Sequence, residues 1–266
     1  MPIDWLLRYW EAKADLTLPF LAGRATAMQL VFGKQIVYRR HDKDGSFIHI
    51  DSREELLQWA RGHCYSFHPH LEDDVLYFVL DIDRRYQALP FALVQVAAQE
   101  MANLLAELQT PHLLKFSGNR GFHFFWGFER AEAEQASGGD IWSFERSIIR
   151  FLHARLEERL QASSQRAEFY RVLREGDPIT ITNSADRKHE RSLLLDENIV
   201  HEMGSLRSPW SVHPQSGLVS LPLEPGELAT FRREDAMPDN ALKRAGPVAL
   251  PLNPVTHWQQ LLGRDS

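Results

Sequence analysis

Val75-Leu-Tyr-Phe-Val-Leu-Asp-Ile-Asp83 is the stretch on which the fold turns. Val75 to Ile82 is a nearly unbroken apolar run rich in β-forming residues, the pattern of a short strand covered on both faces. Successive side chains of a strand point to opposite faces, so Asp81 and Asp83 project from one face while Ile82 points into the opposite layer. Two carboxylates side by side raise each other's pKa, and a divalent cation relieves that conflict. A solvated strand end leading into Arg84 and Arg85 has the same spacing, and the dipeptide alone does not choose between the two readings.

Downstream of Pro90, Phe91 to Leu108 carries apolar residues at helical spacing without an internal breaker, and Pro111 closes it. Leu113 to Phe116 and Phe122 to Trp126 read as strands joined by Ser117-Gly-Asn-Arg-Gly121, a polar connection with the glycines of a tight hairpin. Ala136 to Asp140 reads as a loop and Ile141 to Leu160 as a second amphipathic helix, with further strands at Pro178 to Thr182 and Ser192 to Leu195. Upstream, Ser52 followed by Glu55 forms a capping box ahead of Leu56, Leu57, Trp59 and Ala60, and predicts a helix start.

The order from residue 75 is strand, helix, strand, strand, helix, strand, which is the ferredoxin-like or RRM-like arrangement. The expected architecture is therefore α/β, of the α+β kind: an N-terminal α/β module over residues 1–74 packed on an RRM-like module over 75–220. A tail over 221–266 completes it, broken up by prolines at 222, 225, 238, 247, 251 and 254 and expected to wrap the domain.

Composition narrows the function. With 266 residues, 44% apolar and 25% charged, the chain is of ordinary globular type. It has no run of about 18 apolar residues, and Met1 to Trp10 carries Asp4 and Arg8 in place of a secretory leader, so neither membrane insertion nor secretion is expected. A lone Cys64 excludes an intrachain disulfide framework and a multi-cysteine zinc ribbon, which fits a reducing cytoplasm. The net charge of -6 excludes coating nucleic acid by bulk electrostatics and leaves local basic clusters, Arg39-Arg40-His41 and Arg84-Arg85. His63, Cys64, His68 and His70 are zinc-type donors, but their spacing matches no closed structural module, so zinc is not expected. Phe122, Phe124, Phe125 and Trp126 are expected to pack the core in preference to stacking bases.

Two further segments carry chemistry. In Ser117 to His123 (SGNRGFH) the glycines free backbone N–H groups, Ser117 and Arg120 suit phosphate oxygens, and His123 opens a strand expected to lie near the one bearing the aspartates. Asp196 ends the apolar run of LLLDENIV and is followed by Arg207 and His213 within RSPWSVHPQSG. Alone, the first is a glycine hairpin with an exposed arginine and the second a turn residue. In this order, the motifs resemble those of the archaeo-eukaryotic primase superfamily, the primase catalytic subunits and primase-polymerases. Its pattern is an hhhDhD strand, an SGxxGxH hairpin, a later hD strand and R-x-P-x-S-x-H-x-x-[ST]-G, matched here by Arg207, Pro209, Ser211, His213, Ser216 and Gly217. Weaker likeness extends to Arg40, His41 and Phe47 and to Tyr65-Ser66. The chain is also similar to polymerase domains of bacterial end-joining ligases, through K-x-SG at Lys115 to Gly118 and V-S-x-P-L at Val219 to Leu223.

The resemblance implies a template-dependent nucleotidyltransferase in which Asp81, Asp83 and Asp196 hold two Mg²⁺ or Mn²⁺ ions. Ser117, Gly118, Arg120 and His123, with Arg207 and His213, would bind the triphosphate of an NTP or dNTP. It implies a single-stranded or primed DNA template, and partner proteins such as an accessory subunit, a helicase or a repair factor. Two departures matter: there are too few cysteines for the zinc knob of archaeal primases, and Gln215 stands where many members are basic. Strand extension is therefore expected ahead of priming from scratch. The alternatives are a standalone end-joining (gap-filling) polymerase of the same superfamily and, outside it, a DxD-type nucleotide-sugar transferase or a non-catalytic RRM-like binding module.

Overall fold

The structure, a computed structural model, describes residues 3–183, 185–245 and 250–263, so Pro247 of the tail lies outside the described residues. The chain opens with α1 (Ile3–Thr17), which buries Leu6, Tyr9, Trp10 and Ala14 along one face. The hairpin β1 (Thr26–Phe32) and β2 (Gln35–Arg39) follows. Next comes α2 (Arg53–Arg61), opened by the expected capping box: Glu55 N–H donates to Ser52 Oγ at 3.2 Å and Ser52 N–H to Glu55 Oε2 at 3.1 Å. β3 (Cys64–Pro69) pairs with β1 to give an antiparallel sheet ordered β2-β1-β3.

The larger sheet starts with β4 (Val75–Arg84), two residues longer than the apolar run. It continues through α3 (Phe91–Glu107), β5 (Leu113–Phe116), β6 (Phe122–Glu129), α4 (Arg130–Ser137), α5 (Ile141–Ala162) and α6 (Arg166–Tyr170). It is completed by β7 (Thr180–Ile181), β8 (Leu193–Leu195), β9 (Pro222–Leu223), α7 (Pro238–Leu242) and α8 (Val255–Leu262). The order is β7-β8-β4-β6-β5-β9. Its centre, β8-β4-β6-β5, is antiparallel throughout and has the ferredoxin-like order; β7 adds a parallel edge and β9 an antiparallel one.

Both faces of β4 are covered, as its composition predicts. Leu76, Phe78, Leu80 and Ile82 enter a core that runs without interruption from Leu6 to Trp258, while Tyr77 and Val79 join Phe20, Leu71, Leu113, Phe125 and Leu206 on the opposite face. Alternation puts Asp81 and Asp83 on that second face, where its apolar packing ends. The aromatic run is consumed by packing: Phe122, Phe124, Phe125 and Trp126 are all buried.

Two local expectations need correction. Ala136 and Ser137 are the last turn of α4 and not loop, because Ala131 to Gln135 are strong helix formers supported by an Arg130–Glu134 pair at 2.7 Å. The helix stops one residue later, where Gly138 takes the left-handed conformation (φ +63°). In the tail, Pro238 occupies the first turn of α7 and Pro254 caps α8, so these prolines start helices instead of breaking them. Among the described residues no helix is long and apolar enough to cross a membrane.

Candidate active site

Antiparallel register sets the site. On the sheet face turned toward the N-terminal strands, Asp81 of β4 lies opposite His123 of β6, which lies opposite Lys115 of β5. His123 Nε2 is 3.3 Å from Asp81 Oδ1, and Lys115 Nζ is 2.7 Å from His123 Nδ1. Asp196, the first residue beyond β8, extends the row by donating its backbone N–H to the Asp81 carbonyl at 3.3 Å. One step along β4, Asp83 Oδ2 is held by Arg120 at 2.5 Å.

The hairpin between β5 and β6 can lie this close because of its glycines. A Cβ on Gly121 would sit 2.0 Å from the Ile82 carbonyl oxygen, and Gly118 combines φ +88° with His213 Cβ 3.2 Å from where a Cβ would stand. Ser117 Oγ accepts the N–H groups of Asn119 (3.3 Å) and Gly121 (3.1 Å), so its hydroxyl shapes the loop from inside.

The electrostatics are those of an acidic pair set in a basic, poorly hydrated surround. Burial pushes Asp81 up to about 6 against the pull of Lys115, Arg120 and Arg207. Burial and then the charge of Asp81 push Asp83 up to about 7, against Arg120. Lys115 and His123 are both held well below their ordinary values, first by burial and then by neighbouring cations, Arg207 for the lysine and Lys115 and Arg207 for the histidine. His213 is lowered to about 3 by burial, Arg207 and Arg120. Asp81 Oδ1 and Asp83 Oδ1 are buried atoms without a hydrogen-bond partner among the described residues.

The residues expected from sequence fall into two groups. Asp81, Asp83, Asp196 and Arg120 line one open cavity of about 400 Å³, with Arg85 and the exposed Arg187 beside them. Asp196 Oδ1 is occupied locally by Asn198, through the backbone N–H and Nδ2 at 3.0 Å each. Among the described residues no three His, Cys, Asp or Glu side chains surround a common cation position. Ser117, Gly118, His123, Arg207 and His213 are outside the lining of this cavity. They form a network behind it. Arg207 donates Nε–H to Ser66 Oγ (3.0 Å) and its terminal N–H groups to the Ser117 carbonyl and to Gln29 Oε1 (3.2 Å each), tying β3 and β1 to the hairpin. His213 Nδ1 accepts from the N–H groups of Gln215 and Ser216, and Ser216 Oγ donates to the Gly118 carbonyl.

Sequence reasoning gave no task to Ser66, His68 or Gln29. Arg207 Nε–H donates to Ser66 Oγ, and the same hydroxyl is hydrogen-bonded to His68 Nε2 at 2.9 Å. The signal was present: two polar residues two apart in a strand that is buried throughout. The zinc-type donors are each engaged separately. His63, at φ +65°, turns against Phe32, Cys64 is buried with its thiol pushed up, and His70 packs on Phe47. Of the basic cluster, Arg39 pairs with Asp42, and Arg85 donates to the Asp186 carbonyl.

Over residues 32–248 the chain matches the family model described as LigD, primase-polymerase domain, a span that contains every residue lining the cavity. The chain belongs to that family. As a LigD primase-polymerase domain it is a nucleotidyltransferase of the archaeo-eukaryotic primase type. Among solved structures, the polymerase domain from Mycobacterium tuberculosis ligase D in complex with DNA superposes at a TM-score of 0.59 with 14% identity. That likeness covers 97% of this chain and 86% of the other, and establishes a shared fold. No curated protein matches the chain.

Proposed function

We propose that this LigD-type primase-polymerase domain adds NTPs or dNTPs to a 3'-hydroxyl on a DNA template, with Asp81, Asp83 and Asp196 holding two Mg²⁺ or Mn²⁺ ions. The observation that carries the reading is the Asp81–Asp83 pair. The two carboxylates share one strand face at an open cavity, each keeps a buried Oδ1 without a partner, and both are raised toward neutrality. Hard divalent cations take such oxygens, so this donor set fits them, and Asp196 is the further carboxylate of the same cavity. Held by Asp81, Asp83 and Asp196, such cations would supply a lowered pKa for the attacking 3'-hydroxyl and countercharge for the triphosphate.

The remaining chemistry is positioning. Arg120, paired with Asp83, is free to turn to phosphate oxygens once another positive charge faces that carboxylate. Ser117 and Gly118 hold the hairpin in shape, His123 offers a ring nitrogen beside Asp81, and Arg207 and His213 brace the loop from behind. Residues 1–74, 75–220 and 221–266 act as one catalytic domain in this reading, because Gln29 and Ser66 come from the first, the aspartates from the second and the strand beside Lys115 from the third.

Family membership is equally consistent with primase-type synthesis and with a standalone end-joining, gap-filling polymerase. The test is incubation with NTPs or dNTPs and Mn²⁺ on primed, gapped and unprimed templates. Metal-dependent product on primed or gapped DNA, lost in Asp81→Ala, is expected. No product from either nucleotide type, with Asp81→Ala indistinguishable from wild type, would overturn the reading.

A further inference from the structure

Tyr9 and Trp10 stand side by side on α1, ahead of residue 32 where the family match begins, and both are fully buried. Each gives its one side-chain hydrogen to a distant carbonyl. Trp10 Nε1–H donates to Cys64 at 3.0 Å, at the start of β3, and the Tyr9 hydroxyl donates to Trp210 at 2.6 Å. A phenol has a single hydrogen and a carbonyl only lone pairs, so the direction of the second bond is fixed.

Trp210 is held against its own local preference. Its φ is +67°, in the left-handed region that disfavours any residue with a Cβ, and its indole N–H is buried without an acceptor among the described residues. Such a conformation persists only where the surroundings impose it. Here the Trp210 N–H donates to the Ser220 carbonyl at 2.7 Å, its carbonyl accepts from Tyr9, and the Lys13 side chain lies over the indole, 4.5 Å from the ring centroid. On either side, the N–H groups of Ser208 and Val212 donate to the Phe67 and Tyr65 carbonyls of β3, at 2.8 Å each.

The turn at Trp210 separates Arg207 from His213, the two residues that meet the hairpin from behind. Arg207 donates to the Ser117 carbonyl, Ser216 Oγ donates to the Gly118 carbonyl, and the His213 Cβ is 3.2 Å from where a Gly118 Cβ would stand. A shift at Trp210 therefore moves these contacts together, and with them the loop that presents Arg120 to the cavity.

We propose that Tyr9 is a positioning residue for the nucleotide site: its hydroxyl holds the left-handed turn at Trp210, and that turn sets Arg207 and His213 against the Ser117–Gly121 hairpin. The hold on the hairpin stands on these contacts, whereas its use toward a nucleotide rests on the nucleotidyltransferase reading. The N-terminal helix thus takes part in the site without lining the cavity.

The test reads both parts. Tyr9→Phe removes one oxygen, keeps every ring carbon in the core, and leaves the Trp210 carbonyl buried without its donor. Leu156→Ala, which empties a fully buried position on α5, is the destabilised control. In hydrogen–deuterium exchange read by mass spectrometry, the segment 117–123 of Tyr9→Phe should exchange about fivefold faster than in wild type and in Leu156→Ala, although Leu156→Ala has the lower melting temperature. The KM for the nucleotide should rise about fivefold in Tyr9→Phe with kcat changed less, and should stay near the wild-type value in Leu156→Ala. Wild-type exchange in 117–123 together with a wild-type KM in Tyr9→Phe overturns the proposal, as does an equal rise of both in Leu156→Ala. Because exchange needs no turnover, an inactive protein whose hairpin loosens as expected would fail the functional reading and leave the hold standing.

Discussion

The half-buried Asp81–Asp83 pair and the fully buried Glu145 on α5 are both acidic and short of hydrogen bonds, yet they differ in everything else. Asp81 and Asp83 open on a cavity and have Arg120 within reach, and Asp81 feels Lys115 and Arg207 behind it. Glu145 is fully buried with neither carboxylate oxygen hydrogen-bonded, on a helix face shared with Ile141, Phe144, Ile148, Ile149 and Leu152, and only Arg146 pulls against the burial that lifts it to about 8. Desolvation raises a carboxylate's pKa in either place. What separates a site from a buried acid is the convergence of complementary groups on a space that a ligand can enter.

The largest expected effect follows directly. Asp81→Ala or Asp83→Ala should lower nucleotidyl transfer at least about a thousandfold, or roughly 4 kcal/mol of transition-state stabilisation, in a primer-extension assay. Glu145→Gln should leave kcat/KM within about twofold. Equal losses from both would dissolve the comparison.

Gly121→Ala comes next, because its Cβ would stand 2.0 Å from the Ile82 carbonyl oxygen and push the hairpin off β4. A loss of about 3 kcal/mol in urea denaturation is expected, with activity reduced further than stability predicts. Stability close to wild type would mean that the hairpin does not hold Asp81 and Asp83 in place.

The third effect separates the two regions by pH. Glu145 keeps its proton in the native state to about pH 8 and loses it near 4.5 when unfolded, so the unfolded chain binds fewer protons between those values and stability falls as pH rises through them. Relative to wild type, Glu145→Gln should gain stability from about pH 4.5, levelling above 8 at about 5 kcal/mol, as followed by thermal unfolding. An advantage that is the same at pH 4 and pH 9 would refute the assignment.

The acidic pair has the same sign in the absence of metal, since its carboxylates are raised from 3.8 to about 6 and 7. Its remedy is different. Cations compete with protons, so Mn²⁺ should raise the melting temperature more at pH 8 than at pH 5, by the equivalent of about 1.4 kcal/mol at ten times Kd. That increment should vanish in Asp83→Asn and persist in Glu145→Gln; its persistence in Asp83→Asn would place the metal elsewhere.

Several parts of this arrangement were legible from local sequence. The strand at Val75 to Ile82 followed from an apolar run too short for a helix, the shared face of Asp81 and Asp83 from the two-residue period, and the start of α2 from Ser52 and Glu55. The hairpin could be read from Gly118 and Gly121, though the reason for Gly121, its approach to Ile82, could not. Arg207 illustrates the opposite case. Its motif marked it as a phosphate contact, but three of its N–H groups are spent on Ser66, Gln29 and the Ser117 carbonyl, partners between 90 and 178 residues away.

By itself the sequence determined the elements and the residue types that chemistry requires, because helix caps, strand period and turn glycines act over a few residues. Tertiary structure alone decided that Asp196 lies beside Asp81, that Lys115 meets His123 and that the Glu145 carboxylate meets no hydrogen-bond partner among the described residues. Those outcomes depend on strand order and register, which are fixed by packing between segments far apart in the chain and leave no local trace.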